Sequence, residues 1–204
     1  LQSPYGLVLV VGPTGSGKTT TLHSGLATIN SANRKIWTAE DPVEITQIGL
    51  RQVQINPKIG FTFAAALRSF LRLDPDVIMV GEMRDEETAG IAVEASLTGH
   101  LVFSTLHTNS APETVTRLLE MGLDPYSFSD SLLCVLAQRL ARRLCSACKE
   151  TYTPDQAELD ELIEEYGRDA FVETGIDPSS ITLAHAHGCE QCGQSGYHGR
   201  LGIH

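Results

Sequence analysis

The chain has 204 residues, with 15 Lys and Arg against 25 Asp and Glu, and a formal net charge of −10 with histidine neutral. That length is enough for one or two domains with a real core. The acidic balance argues against a nucleic-acid surface resting on bulk charge, because affinity for phosphate backbones comes mainly from Lys and Arg; a local basic patch stays open. No apolar run approaches the ~20 residues that span a bilayer, and Leu1 onward lacks the basic start and small-residue cleavage site of a signal peptide. A first residue other than Met, and an end at Ile203-His204 without a closing element, are expected of a piece of a longer protein.

The apolar run Leu7 to Val11 leads into Gly12-Pro13-Thr14-Gly15-Ser16-Gly17-Lys18-Thr19, and Thr20 to Ile29 reads as a helix. Strand, glycine-rich loop, helix is the context in which G-x-x-x-x-G-K-[ST] means phosphate binding. The glycines let the backbone turn its N–H groups around a phosphate chain, and the helix start adds its positive dipole end. Gly12 through Thr20 form the candidate nucleotide site. Lys18 can reach the β- and γ-phosphates, and Thr19 can ligate Mg²⁺. The alternative is a glycine-rich turn with a chance lysine.

Lys35 to Ala39 is a short β-prone run that delivers Glu40-Asp41-Pro42-Val43-Glu44 to a strand end, where ligands sit in open parallel sheets. A solvated acidic turn is the competing reading. Arg51 to Ile55 alternates like a half-buried strand. Phe61 to Leu73 reads as a helix with Thr62 as cap, and Arg68 and Arg72 share one of its faces, to pair with acids or to reach phosphate. Val77 to Val80 is a continuous apolar run, the mark of a strand buried on both faces. It ends at Gly81-Glu82-Met83-Arg84-Asp85, where Glu82 can orient or deprotonate a water, or simply pair with Arg84. Asp85 to Leu97 is a helix with an acidic first turn, ended by Thr98-Gly99. Leu101 to Thr105 is a second buried strand, bracketed by His100 and His107. The polar residues that follow it can sense a γ-phosphate, although a lone histidine is more often structural. Pro112 to Met121 and Tyr126 to Arg143 are expected to be helices, the second burying Cys134 and carrying Arg139, Arg142 and Arg143 at its end.

Composition then changes. Cys145-Ser-Ala-Cys148 and Cys189-Glu-Gln-Cys192 flank an acidic helical stretch from Pro154 to Tyr166. Two C-x₂-C pairs supply four thiolates for a tetrahedral, structural zinc; disulfides or a redox pair are the alternatives. His185, His187 and His198 lie near the second pair as substitute ligands. The paired cysteines, read as metal ligands, fit a reducing cytoplasm.

Taken in order, four motifs resemble those of the secretion ATPases of type II secretion systems and type IV pilus assembly (the GspE family), over nearly the whole chain. They are Gly12 to Thr19, the Asp box Glu40 to Glu44, the atypical Walker B Gly81-Glu82-x-Arg84-Asp85 within Leu67 to Asp85, and the His box from Thr98-Gly99-His100 to Asn109. The cysteine pairs look like the tetracysteine zinc element of the assembly members. The resemblance implies a RecA-like α/β phosphate-loop NTPase core at 1–143 and a small metal-binding tetracysteine subdomain at 144–204. It implies a homohexameric ring that hydrolyses ATP with Mg²⁺ and moves an inner-membrane platform protein. The ring would be cytoplasmic, bound to the membrane only through that protein and a docking protein. Carried over, Lys18 and Thr19 hold phosphate and Mg²⁺, Glu82 is the Walker B glutamate, Glu40 is a second water-handling candidate, and His107 sits near the γ-phosphate. Leu73 departs from the polar residue common before Asp-Pro-Asp. Family members also carry an amino-terminal domain that closes over the nucleotide and continue past Ile203, so the chain as given is expected to bind ATP and turn it over slowly. A RecA-like DNA-uptake or conjugation ATPase, and an ATP-gated scaffold, are the rival readings.

Overall fold

The computed structural model describes residues 3–204. Cα packing divides the chain into a first unit, which runs to Leu140 and takes in Gly202–His204, and a second, Ala141–Leu201.

The first unit is built on six parallel strands: β1 (Gly6–Val11), β2 (Ile36–Glu40), β3 (Arg51–Gln54), β4 (Val77–Val80), β5 (Leu101–Leu106) and β6 (Leu132–Ala137). They lie in the order β3-β2-β4-β5-β1-β6. The three strands that read as apolar runs, β1, β4 and β5, are interior, and β4 and β5 are buried at every position, as a sheet covered on both faces requires. The half-polar β3 takes an edge.

Because strand side chains alternate between faces, β1 feeds two cores. Leu7, Leu9 and Val11 pack with α2 (Phe63–Phe70) and α3 (Glu86–Leu97) through Leu67, Phe70, Ala92 and Val93. Val10 faces the other way, with Leu22, Leu26 and Ile29 of α1 (Lys18–Ile29) and with Met79 and Phe103. Caps set the helix starts where small polar residues stand. Thr62 Oγ1 accepts from Ala65 N, Asp85 from Thr88 N, and Ser110 from Glu113 N at the head of α4 (Ala111–Glu120).

One expected element is overturned. Tyr126 to Arg143 is not a helix: α5 (Pro125–Ser131) is short and gives way to β6 and then β7 (Arg139–Leu144). The leucines at helical spacing also form an unbroken apolar run, and β1 offers that run an open backbone edge along Leu7 to Val11. Pairing there satisfies β1's outward N–H and C=O groups, which would otherwise stay unpartnered beside the core. Cys134 is therefore exposed on an edge strand rather than buried in a helix. Arg139, Arg142 and Arg143 lie on β7, where no helix dipole acts on them.

The second unit contains most of β7, β8 (Glu150–Tyr152), α6 (Gln156–Tyr166), α7 (Arg168–Glu173), β9 (Leu183–His185) and β10 (Tyr197–Ile203), which continues into the first unit's terminal residues. Here β8 and β9 form an antiparallel pair, and β7 pairs with β10. The Arg142 guanidinium stacks on the Tyr197 ring, 4.0 Å from its centre. No helix among the described residues is long and apolar enough to cross a membrane.

Candidate nucleotide site and cysteine cluster

The carboxyl ends of β1, β2, β4 and β5 bring the candidate residues to one edge of the sheet. The loop after β1 turns at Gly12 and Gly17, both with positive φ (147° and 87°). A Cβ on Gly12 would collide with the Gln138 carbonyl oxygen, and one on Gly17 would come within 2.9 Å of Gln138 Nε2. These two positions thus demand glycine twice over, for backbone conformation and for space. Whereas α2, α3 and α4 have side-chain caps, α1 has none and no acid in its first turn. Its first N–H groups stay open to an anion. Ser16 Oγ is buried without a partner in the same loop. An orphan hydroxyl and uncapped amides fit a phosphate chain.

Lys18 is buried, and its Nζ donates to the carbonyls of Gly12 (2.8 Å) and Pro13 (3.0 Å). Burial lowers its pKa, and the charge of Glu82 works in the opposite direction. Glu82 lies just past β4, and β5 runs between β4 and β1. The polar residues at the end of β5 therefore come up beside Glu82. His107 Nε2 lies 3.1 Å from Glu82 Oε1, and Arg84 Nε donates to Oε2 at 2.7 Å. The Glu82 side chain keeps 18% exposure. It lines a cavity of about 500 Å³ with Arg84, His107, Thr108 and Arg117. The pairing of Glu82 with Arg84 is the blander of the two sequence expectations, and it coexists here with the cavity. Arg68 likewise takes its blander option, an ion pair with Glu87 at 2.6 Å. Leu73 is exposed, clear of the site.

The solvated acidic turn describes Asp41 and Glu44, which are exposed, but not Glu40. The Glu40 side chain is 4% exposed and both its oxygens are engaged. Thr38 Oγ1 (2.6 Å) and Gln52 Nε2 (3.0 Å) donate to Oε1, and His23 Nε2 lies 3.1 Å from Oε2. Since His23 follows Thr19 by one helical turn on α1, Glu40 is held beside the helix behind the candidate Mg²⁺ ligand.

In the second unit, the Sγ atoms of Cys145, Cys148, Cys189 and Cys192 all lie within 4.8 Å of one another. The measured separations are 4.0 Å (Cys145–Cys189), 3.8 Å (Cys148–Cys192) and 3.7 Å (Cys189–Cys192). A tetrahedron with ~2.3 Å metal–sulfur bonds has edges of about 3.8 Å. The cluster has the dimensions to hold a metal ion. Burial pushes the Cys148 thiol up to about 12. Burial also acts on Cys192, but the N–H groups of Cys189 and Gly196, each 3.2 Å from its sulfur, bring that thiol down to about 6. Amides aimed at a sulfur favour the thiolate that a metal needs. His185 and His187 point instead at Glu150, 3.3 Å away in each case.

Sequence reasoning missed two residues here. His23 carries no local signal beyond its spacing from Thr19. Gln138 is 4% exposed and bonds to the phosphate loop through its side chain. A signal for it existed: Leu132 to Ala137 is an apolar run followed directly by a polar residue, Gln138.

Comparison with known proteins agrees with this geometry. The chain is 55% identical to the type II secretion system protein E of Pseudomonas aeruginosa, over 100% of its own length and 38% of that relative's. It is 53% identical to the type IV pilus assembly ATPase PilB of Myxococcus xanthus, over 100% of its length and 35% of PilB's. The chain thus spans little more than a third of these relatives. Among solved structures, the pilus retraction motor PilT with bound ADP superposes with a TM-score of 0.64 at 37% identity, covering 83% of this chain and 53% of PilT. The Legionella pneumophila ATPase DotB gives 0.59 at 29% identity, covering 88% of this chain and 54% of DotB. These likenesses favour the secretion reading over a DNA-uptake or conjugation motor. The model of the type II/IV secretion system protein family matches residues 1–204, and the chain belongs to that family.

Proposed function

We propose that this chain is the ATP-hydrolysing core of a motor that drives a type II secretion pseudopilus or a type IV pilus. One observation carries the reading: the glycine loop after β1 holds the buried Lys18 Nζ and an unpartnered Ser16 hydroxyl at a helix start that is left uncapped. A cation for phosphate oxygens, with the partly exposed Glu82 carboxylate at the same end of the sheet, suits in-line attack of water on a γ-phosphate. The water oxygen bonds to phosphorus, the bond to the β-phosphate oxygen breaks, and the water's proton passes to a carboxylate. Lys18 leaves the Gly12 and Pro13 carbonyls for the phosphate oxygens. Glu82 receives the proton, His107 and Arg84 hold its carboxylate in place, and Glu40 supports the water site from behind α1. The Gly12 to Thr20 loop would hold the phosphates and Thr19 Oγ1 would be a ligand of Mg²⁺, which would offset charge on the phosphoryl oxygens. The ADP in PilT supports an adenine nucleotide here. Cys145, Cys148, Cys189 and Cys192 would hold a structural zinc.

The same reading makes residues 1–143 the motor core and 144–204 the metal-held subdomain. It makes the assembly a homohexamer acting on an inner-membrane platform protein, bound to the membrane only through partners. Lys18→Ala should abolish measurable ATP binding. Glu82→Gln in the full-length protein should keep ATP affinity within about twofold and lower turnover by at least a factor of about 100. Calorimetry and phosphate release test the pair, and a Glu82→Gln protein with wild-type turnover would remove Glu82 from the chemistry.

A further inference from the structure

Gln138 holds the phosphate loop at three points. Its backbone N–H donates to the Val11 carbonyl, where β1 enters the loop, at 2.8 Å. Its side-chain Nε2 donates to the Ser16 carbonyl at 2.6 Å, and its Oε1 accepts from Thr21 Oγ1 on α1 at 2.7 Å. A primary amide has one donating and one accepting end. The Ser16 carbonyl can only accept and takes the donating end, which leaves the accepting end for the Thr21 hydroxyl.

The consequence lies in the Ser16–Gly17 peptide, which is trans. A planar trans peptide points its C=O and N–H to opposite sides. With the Ser16 C=O turned toward Gln138, the Gly17 N–H faces the other way. The Gln138 side of the loop is filled, since a Cβ on Gly12 or Gly17 would strike Gln138 there. Pro13, Thr14 and Gly15 of the same loop are exposed, and the side away from Gln138 is the one left for a phosphate. We infer that Gln138 is a positioning residue that aims the Gly17 amide at a bound polyphosphate and thereby sets the affinity of the loop for the phosphate chain of a nucleotide. The inference rests on the nucleotide reading proposed above. It assigns a role to the β6–β7 junction, which otherwise has none in the site.

The test uses Gln138→Met, which keeps the length of the side chain and loses both of its hydrogen bonds, and Thr21→Val, which removes only the bond that ties the amide to α1. Lys18→Ala is the control. Calorimetry gives the Kd for Mg-ADP, and NMR of protein labelled with [¹⁵N]glycine follows the Gly17 amide. The expected result is a Kd raised about tenfold in Gln138→Met and severalfold in Thr21→Val. At saturating ADP, the Gly17 amide shift should be smaller in Gln138→Met than in the wild type, while the Gly90 resonance on α3 is unchanged. A residue that only stabilised the fold would not alter Gly17 selectively. A Gln138→Met protein that binds Mg-ADP within twofold of wild type, or shows the full Gly17 shift at saturation, overturns the inference. A wild type that does not bind Mg-ADP, or a Lys18→Ala protein that binds it equally well, overturns the nucleotide reading instead.

Discussion

A carboxylate can take a proton from water only through a lone pair that is free to meet it. By that standard the two glutamates at this site differ. Glu82 keeps exposure and faces a cavity, whereas Glu40 is buried and surrounded by Thr38, Gln52 and His23. With His23 Nε2 donating to Glu40, His23 Nδ1 is left buried without a partner, so the network is built around Glu40 as the acceptor. Glu40→Gln would place an amide NH₂ group where three donors converge. One donor would then go unpaired, at a cost of about 1–3 kcal/mol. Urea denaturation should show that loss, with Mg-ADP affinity nearly unchanged. Glu82→Gln, in a partly exposed setting, should shift stability by no more than about 0.5 kcal/mol. Equal stability of Glu40→Gln and wild type would mean that the network holds nothing in place.

At the scale of elements, β6 is where propensity and tertiary context part. A free edge on β1 decides the matter in favour of a strand. Cys134 makes the difference measurable. On an exposed strand position, Cys134→Thr places a β-branched residue where the sheet tolerates it and should leave the melting temperature unchanged or slightly raised. In the apolar face of a buried helix the same hydroxyl would cost about 1–3 kcal/mol. Thermal melting of this single variant separates the two. The interior strands β1 and β4 were legible because their runs are short, wholly apolar and bounded by Gly or Asp, which leaves no helical alternative. Thr62 announced its helix through capping chemistry, and the stretch from Asp85 announced its own through an acidic first turn, both local in sequence. In β6 the leucine spacing fits both periods, and only the distant partner strand breaks the tie. The site divides along the same line. The phosphate loop is one contiguous motif and could be read directly. The environment of Glu40 depends on His23, and that of Ser16 on Gln138, both contacts made by the fold alone.

The whole molecule joins a unit with a full core to one without. Among the described residues of Ala141–Leu201, the buried hydrophobic side chains are Cys145 and Leu159, while Tyr166, Val172 and Ile176 are exposed. So little burial cannot offset the conformational entropy of ordering such a segment. Small folds in this position rely on a covalent or metal cross-link, and the four sulfurs, spaced as a tetrahedral ion requires, are the available one. Metal binding would then be folding energy for this unit. A zinc-selective chelator should remove its share of ordered circular dichroism, and the protein should release about one equivalent of zinc as it does so. The first unit has its own two-sided core and should still melt cooperatively, at a temperature that Mg-ADP raises as mass action dictates. A melting curve unchanged by the chelator would show that the cysteines hold no structural metal. Loss of both transitions together would show that the sheet unit cannot stand without the cysteine-held one, against the division seen in its packing.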